Sequence, residues 1–200
     1  MNERARPRIL PTLSLLLGLL APLAACGQPE DPPLKGATIG GPFTLTDQNG
    51  RRVGDRDFAG RYRVVYFGYT HCPDVCPTDL LTISQALARF EKADPAQAAR
   101  VVPIFVSIDP ERDTPAVLKQ YLASFHPRLV GLTGTPAEIA AVAKEYVASY
   151  SKGPVQPGGG YAMGHTRQTL LMNPAGAPVA LLPVDEGAAR TQAELARWVR

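Results

Sequence analysis

The sequence predicts an α/β sandwich. Three observations carry this. Two short apolar runs, each suited to a buried strand, are each followed by an amphipathic helix pattern; a third capped helix comes next; a late pair of strands and a terminal helix close the chain. Its 200 residues, 45% hydrophobic and 20% charged, suffice for one domain with a real core.

The chain opens with a positive stretch from Arg4 to Arg8 and a mostly apolar run from Ile9 to Leu23, closed by Ala24 and Ala25. That is the layout of a secretory signal. Pro11 and Pro22 leave too short an uninterrupted stretch for a comfortable membrane-crossing helix. Leu23-Ala24-Ala25-Cys26-Gly27 looks like a bacterial lipoprotein processing box. That resemblance implies cleavage before Cys26 and lipidation of its thiol, with several acyl chains holding the protein on a membrane. An ordinary signal peptide followed by a free cysteine, or an uncleaved anchor, are the alternatives. On the first reading residues 1–25 are a lipoprotein-type signal peptide, 26–36 a stiff tether rich in proline, and 37–200 the folded domain.

Within that domain Phe43-Thr44-Leu45, the turn Asn49-Gly50 and Val53 predict a small N-terminal hairpin. Arg63 to Tyr69 reads as a buried strand ending at a cysteine motif, and Leu80, Ile83, Leu87 and Phe90 mark a helix after Pro77. Val101 to Ser107 is a second buried strand. Thr114 with Pro115 starts a helix carrying Leu118, Tyr121, Leu122 and Phe125. Thr135, Pro136 and Glu138 start another, with a capping box. Gly153 to Gly160 is a loop rich in glycine and proline. Thr169–Met172 and Val179–Leu182 flank a turn at Asn173–Gly176, a late antiparallel hairpin, and Thr191 and Glu194 are expected to cap the last helix. The order fits a thioredoxin-like sandwich with an added N-terminal hairpin and the late antiparallel hairpin.

The net charge is +3, of which Arg4, Arg6 and Arg8 against Glu3 supply +2. No basic patch of the kind that grips a phosphate backbone is visible, which argues against a nucleic-acid partner. Three cysteines is an odd count: Cys72 and Cys76 are close partners, and Cys26 stands apart.

Cys72 and Cys76 sit where a strand hands over to a helix. Thiols four residues apart on a first helical turn lie about 5.4 Å apart along the axis. That spacing permits a disulfide, and equally a shared metal ion. Helix-start N–H groups favour thiolate over thiol, which helps both nucleophilic attack and metal binding. Three chemistries compete. A structural disulfide suits an exported protein, yet closing so short a loop stabilises little. A redox dithiol of the thioredoxin kind has two intervening residues, and this pair has three. Two thiolates with a histidine suit soft Cu(I), whereas structural zinc usually takes a fourth protein ligand. Spacing alone leaves all three open.

Three stretches resemble one known family: Phe67-Gly68-Tyr69-Thr70-His71-Cys72-Pro73-Asp74-Val75-Cys76-Pro77-Thr78-Asp79-Leu80, then Val106 to Pro115, then Tyr161-Ala162-Met163-Gly164-His165-Thr166 followed by Met172-Asn173-Pro174. In order and spacing they are similar to the Sco/SenC copper-handling proteins, over roughly residues 36 to 200. The resemblance implies copper, as Cu(I) or Cu(II), held by Cys72, Cys76 and His165. It implies a metallochaperone that helps assemble the dinuclear copper centre of cytochrome c oxidase. Its partners are then the copper-bearing oxidase subunit, a periplasmic copper donor and, through Cys26, a membrane of the bacterial cell envelope. The alternative it implies is a thiol–disulfide reductase with Cys72 and Cys76 as the redox pair, acting on the oxidase cysteines or on other envelope proteins. An inert structural disulfide is a third reading.

Many relatives carry an acidic residue just before the histidine, where this chain has Gly164; this bears on how the imidazole is oriented. The segment 165–169 lacks the proline that ordinary thioredoxins carry beside their redox site. His71 is expected to be structural or to support the ligands from behind, its side chain pointing away from that of Cys72, and His126 a surface residue. Asp74 either tunes the thiolates or simply suits a helix start. Asp109 and Asp113 resemble paired acid–base carboxylates but are expected to fix the loop before Thr114, and Met163 is expected to pack in the core.

Overall fold

The fold is built on two strands that are buried along their whole length, β3 (Tyr62–Gly68) and β4 (Val101–Ser107). They pair in parallel over seven residues, Tyr62 opposite Val101 through Gly68 opposite Ser107. Full burial means both faces of this central pair are covered, as expected of parallel strands rich in valine, isoleucine and phenylalanine. In this computed structural model the described residues are 1 and 30–200. The signal-peptide, Cys26 and early tether readings fall outside them. The unit from Asp31 to Arg200 is one body.

Around the central pair stand β1 (Thr44–Asp47), β2 (Arg52–Gly54), β5 (Val130–Thr133), β8 (Thr169–Met172) and β9 (Pro178–Leu181), in the order β2-β1-β5-β4-β3-β8-β9. β5 joins β4 in parallel; β1 on β5, β8 on β3 and β9 on β8 are antiparallel. A separate two-stranded ribbon is made by β6 (Tyr150–Lys152) and β7 (Met163–His165). The helices are α1 (Val75–Ala93), α2 (Pro95–Ala99), α3 (Pro115–Leu122), α4 (Pro136–Glu145) and α5 (Ala188–Trp198). α1 packs against α5, α3 against β5 and α4 against β1. The thioredoxin-like sandwich is therefore present, with the hairpin β1–β2 at its start and the hairpin β8–β9 near its end. Among the described residues no helix is long and apolar enough to cross a membrane.

Local chemistry explains several boundaries. Thr114 caps α3 by accepting from Val117 N–H, with proline at the first position. The capping box at α4 forms in both directions, Glu138 N–H to Thr135 Oγ1 at 3.2 Å and Thr135 N–H to Glu138 Oε2 at 2.7 Å.

Three expectations need correction. Thr191 does not cap α5: it lies inside the helix, buried, with its hydroxyl bonded to the Gly187 and Pro183 carbonyls, and Gly187 at φ 91° occupies the cap. Glu194 is likewise buried and accepts from Trp198 Nε1. His126 is not on the surface but 6% exposed, its Nε2 3.3 Å from Glu91 Oε2. A turn after α3 folds the ring inward, which helical spacing did not reveal.

α4 ends in a Schellman motif: Ala148 N–H reaches the Ala143 carbonyl at 2.8 Å and Val147 N–H that of Lys144 at 3.2 Å. The motif demands a left-handed residue between them, and Val147 supplies it at φ 54°. A β-branched residue is strained there. Val147→Gly is expected to stabilise the protein by about 1 kcal/mol, raising the thermal midpoint by roughly 2–4 °C in a scanning calorimeter.

Candidate metal centre

The site forms where β3 ends and α1 begins. Cys72 lies in the turn after β3, before the helix; Asp74 is the cap and Cys76 the second helical residue. The two sulfurs are therefore not one helical pitch apart, as spacing had suggested. Cys72 Sγ sits in front of the helix and accepts the Cys76 N–H at 3.4 Å. Both cysteines are unbridged thiols. Asp74 makes no side-chain cap bond and is exposed.

Seating Cys76 requires Gly68. A Cβ there would stand 2.9 Å from the Phe105 and Tyr66 rings and 3.0 Å from Cys76 Sγ, so any side chain would have to displace a ring or the sulfur from this packed corner.

His165 arrives from the ribbon. It is the last residue of β7, opposite Tyr150 on β6, and so stands on a strand end and not in the free loop. Its Nε2 lies 3.3 Å from Cys76 Sγ. Its Nδ1 lies 2.9 Å from the Thr166 carbonyl. A carbonyl only accepts, so Nδ1 carries a proton, and in the neutral ring the Nε2 lone pair then faces the sulfur. The rings of Tyr66 and Tyr69 meet the imidazole edge to face at 6.3 and 6.0 Å. The ring is thus held without help from residue 164. Gly164 is exposed beside Ser151.

One ligand atom from each of Cys72, Cys76 and His165 lies within 4.8 Å of the others. Two sulfurs and an unprotonated imidazole nitrogen form a soft three-donor set. The two thiols differ. Burial raises the Cys72 pKa, but the N–H groups of Asp74 and Cys76, the Cys76 side chain and the Val75 N–H outweigh it and bring the thiol below its ordinary value. Burial pushes Cys76 up to about 12, with the neighbouring Cys72 adding to the rise. In the metal-free reduced protein, iodoacetamide near pH 8 is expected to modify Cys72 and spare Cys76 until the chain is unfolded. Peptide mapping of the labelled protein reads this directly.

The surroundings are tied to this centre by polar contacts that sequence reasoning missed. Tyr66 Oη donates to Asp79 Oδ2 at 3.0 Å, and Arg167 grips the same carboxylate at 2.7 and 3.2 Å. This links α1, one turn past Cys76, to the residue two beyond His165. Asp113, fully buried, accepts from Thr70 N–H, Thr70 Oγ1 and Ser107 Oγ, which fixes the turn leading to Cys72. Asp109, also buried, accepts from Arg112 and Tyr161. The two carboxylates therefore fix loops, as expected. Met163 is 9% exposed within the core cluster, and His71 is half exposed, 3.1 Å from Thr70 Oγ1 and outside the donor set.

A family model described as SCO1/SenC matches residues 31–200, the whole of the body from Asp31 to Arg200. The chain belongs to the SCO1/SenC family. Among relatives, the mitochondrial SCO1 homolog 1 of Arabidopsis thaliana is 41% identical over 145 residues, 72% of this chain and 42% of its own length. The human mitochondrial SCO1 homolog is 42% identical over 138 residues, 69% of this chain and 45% of its own. The chain thus spans less than half the length of these curated relatives. Among SCO1/SenC structures, copper-bound ScoI of Bradyrhizobium japonicum superposes with a TM-score of 0.72 at 47% identity, covering 80% of this chain and 99% of that one. Copper-bound yeast Sco1 gives 0.74 at 34% identity, covering 81% and 88%.

Proposed function

We propose that this protein is a copper metallochaperone for the dinuclear copper centre of cytochrome c oxidase, holding one Cu(I) or Cu(II) ion through Cys72 Sγ, Cys76 Sγ and His165 Nε2. The observation that carries it is the meeting of those three donors within 4.8 Å, with the imidazole lone pair aimed at sulfur. Copper is cargo here, so a three-donor site open to ligand exchange suits delivery, and Cu(II) would take a further oxygen donor such as water. The copper-bound relatives support the choice of metal. The client is the copper-bearing oxidase subunit, a periplasmic donor loads the site, and lipidation at Cys26 anchors the domain in the bacterial cell envelope.

A second reading is favoured by the unequal thiols. The Cys72 thiolate attacks a partner disulfide, forming a mixed disulfide and releasing one partner thiolate. Cys76 then attacks Cys72 Sγ, releasing the second, so the pair is oxidised and the partner gains two electrons. The disulfide form lacks two copper donors, so the two activities belong to different redox states.

Copper content of the reduced signal-free domain under anaerobic conditions tests the first reading. One equivalent is expected in the wild type, and none retained against a chelator in Cys72→Ser or Cys76→Ser. Full retention in either variant overturns the ligand set.

A further inference from the structure

We propose that Arg112 is a positioning residue for His165: stacked on Tyr161, it latches the β6–β7 ribbon to the loop after β4 and so sets where the imidazole meets the thiols. The inference rests on the three-donor reading above. Arg112 stands on the loop between β4 and α3, far in sequence from the ribbon. Its guanidinium carbon lies 3.6 Å from the centre of the Tyr161 ring and 5.8 Å from that of Tyr69, the ring whose edge meets His165. Arg112 Nη1 donates to the Tyr161 carbonyl at 2.9 Å, two residues before β7. Its Nε donates to Asp109 Oδ2 at 2.5 Å, and Asp109 Oδ1 accepts the Tyr161 hydroxyl at 2.8 Å.

This latch is continuous with the cysteine turn. Asp109 N–H donates to Ser107 Oγ, Ser107 Oγ to Asp113, and Asp113 accepts from Thr70, two residues before Cys72. One polar frame at the end of β4 therefore holds both segments that bring the donors together. β4 is buried throughout, so the frame has a rigid base. The ribbon's six residues form a separate two-stranded sheet, and isolated two-stranded ribbons are marginal. Beyond Met163 in the core, it is held to the loop by Arg112 stacked on Tyr161 with its hydrogen bonds, and by Lys152 of β6, 4.2 Å from the same ring centre and paired with Glu111.

The test uses Arg112→Ala, Arg112→Lys and Tyr161→Leu. In the metal-free protein, amide hydrogen exchange is followed at Gly153 and Thr166, whose N–H groups close the two ends of the ribbon on the Ala162 and Ser149 carbonyls. Exchange there is expected to rise about tenfold in Arg112→Ala and Tyr161→Leu, with β3 amides unchanged and Arg112→Lys intermediate. In the copper-loaded protein the same two variants should lose copper to a chelator about tenfold faster, with a shifted sulfur-to-copper absorption band. Unchanged exchange at Gly153 and Thr166 overturns the latch. Faster exchange with wild-type copper loss and spectrum overturns the positioning role. Should Arg112→Ala not fold, Tyr161→Leu decides: it removes the stacking ring and its hydroxyl bond to Asp109 but leaves Arg112 paired with Asp109 and bonded to the residue-161 carbonyl. A wild type that retains no copper would sink the copper reading and the positioning role with it, while the exchange arm still judges the latch.

Discussion

His165→Ala is expected to lower copper retention by more than about a hundredfold while disulfide reduction by Cys72 and Cys76 survives. Removing even a hydrogen-bond partner of a metal ligand commonly costs 10–100-fold in affinity, and here a donor atom itself is lost. Nε2 faces Cys76 Sγ at 3.3 Å, whereas the bonds made and broken in thiol exchange run between sulfurs alone. The fold should hold, because the lost ring contacts with Tyr66 and Tyr69 amount to about 1 kcal/mol each. Chelator competition reads the first effect and turnover of a disulfide peptide the second. Equal loss of both activities would mean His165 serves the thiols and not the metal.

Asp113→Ala is expected to destabilise the protein by about 3 kcal/mol, lowering the thermal midpoint by roughly 6–12 °C. The carboxylate is fully buried and accepts three hydrogen bonds, from Thr70 N–H at 3.0 Å and from the Thr70 and Ser107 hydroxyls at 2.6 Å each. Truncation strands those donors in a site that water reaches poorly, and each stranded donor costs about 1 kcal/mol or more. Because Thr70 leads directly to Cys72, the variant should also leave Cys72 more open to alkylation. Asp113→Asn keeps the shape and one acceptor oxygen, so it should recover part of the loss. Wild-type stability in Asp113→Ala would show that the loop is fixed by other means and reopen an acid–base role for Asp109 and Asp113.

Much of the fold could be read from local pattern. Strands β3 and β4 announce themselves as unbroken apolar runs, and α3 and α4 through Thr-Pro starts whose hydroxyls do cap them. What escaped was short or set by partners. β5 is four residues, Val-Gly-Leu-Thr, with no alternation to mark it, and it is a strand because β4 and β1 offer it hydrogen bonds on both sides. The ribbon strands of three residues each have no hydrophobic period at all. Thr191 has the chemistry of a cap, but Gly187 at positive φ starts the helix earlier and Thr191 is drawn inside.

The candidate site divides along the same line. Residue type and spacing alone determined that Cys72 and Cys76 stand at a strand-to-helix junction, and likeness of motif pointed to His165 as their companion. Only the tertiary structure decided that the imidazole reaches them, that Cys72 lies ahead of the helix, and that Arg112, Tyr161, Asp79 and Arg167 brace the meeting. The reason is the range of the forces involved. Helical starts and buried strands are set by neighbours a few residues away, whereas a contact across 89 residues exists only once the β4 loop and the ribbon have been packed side by side.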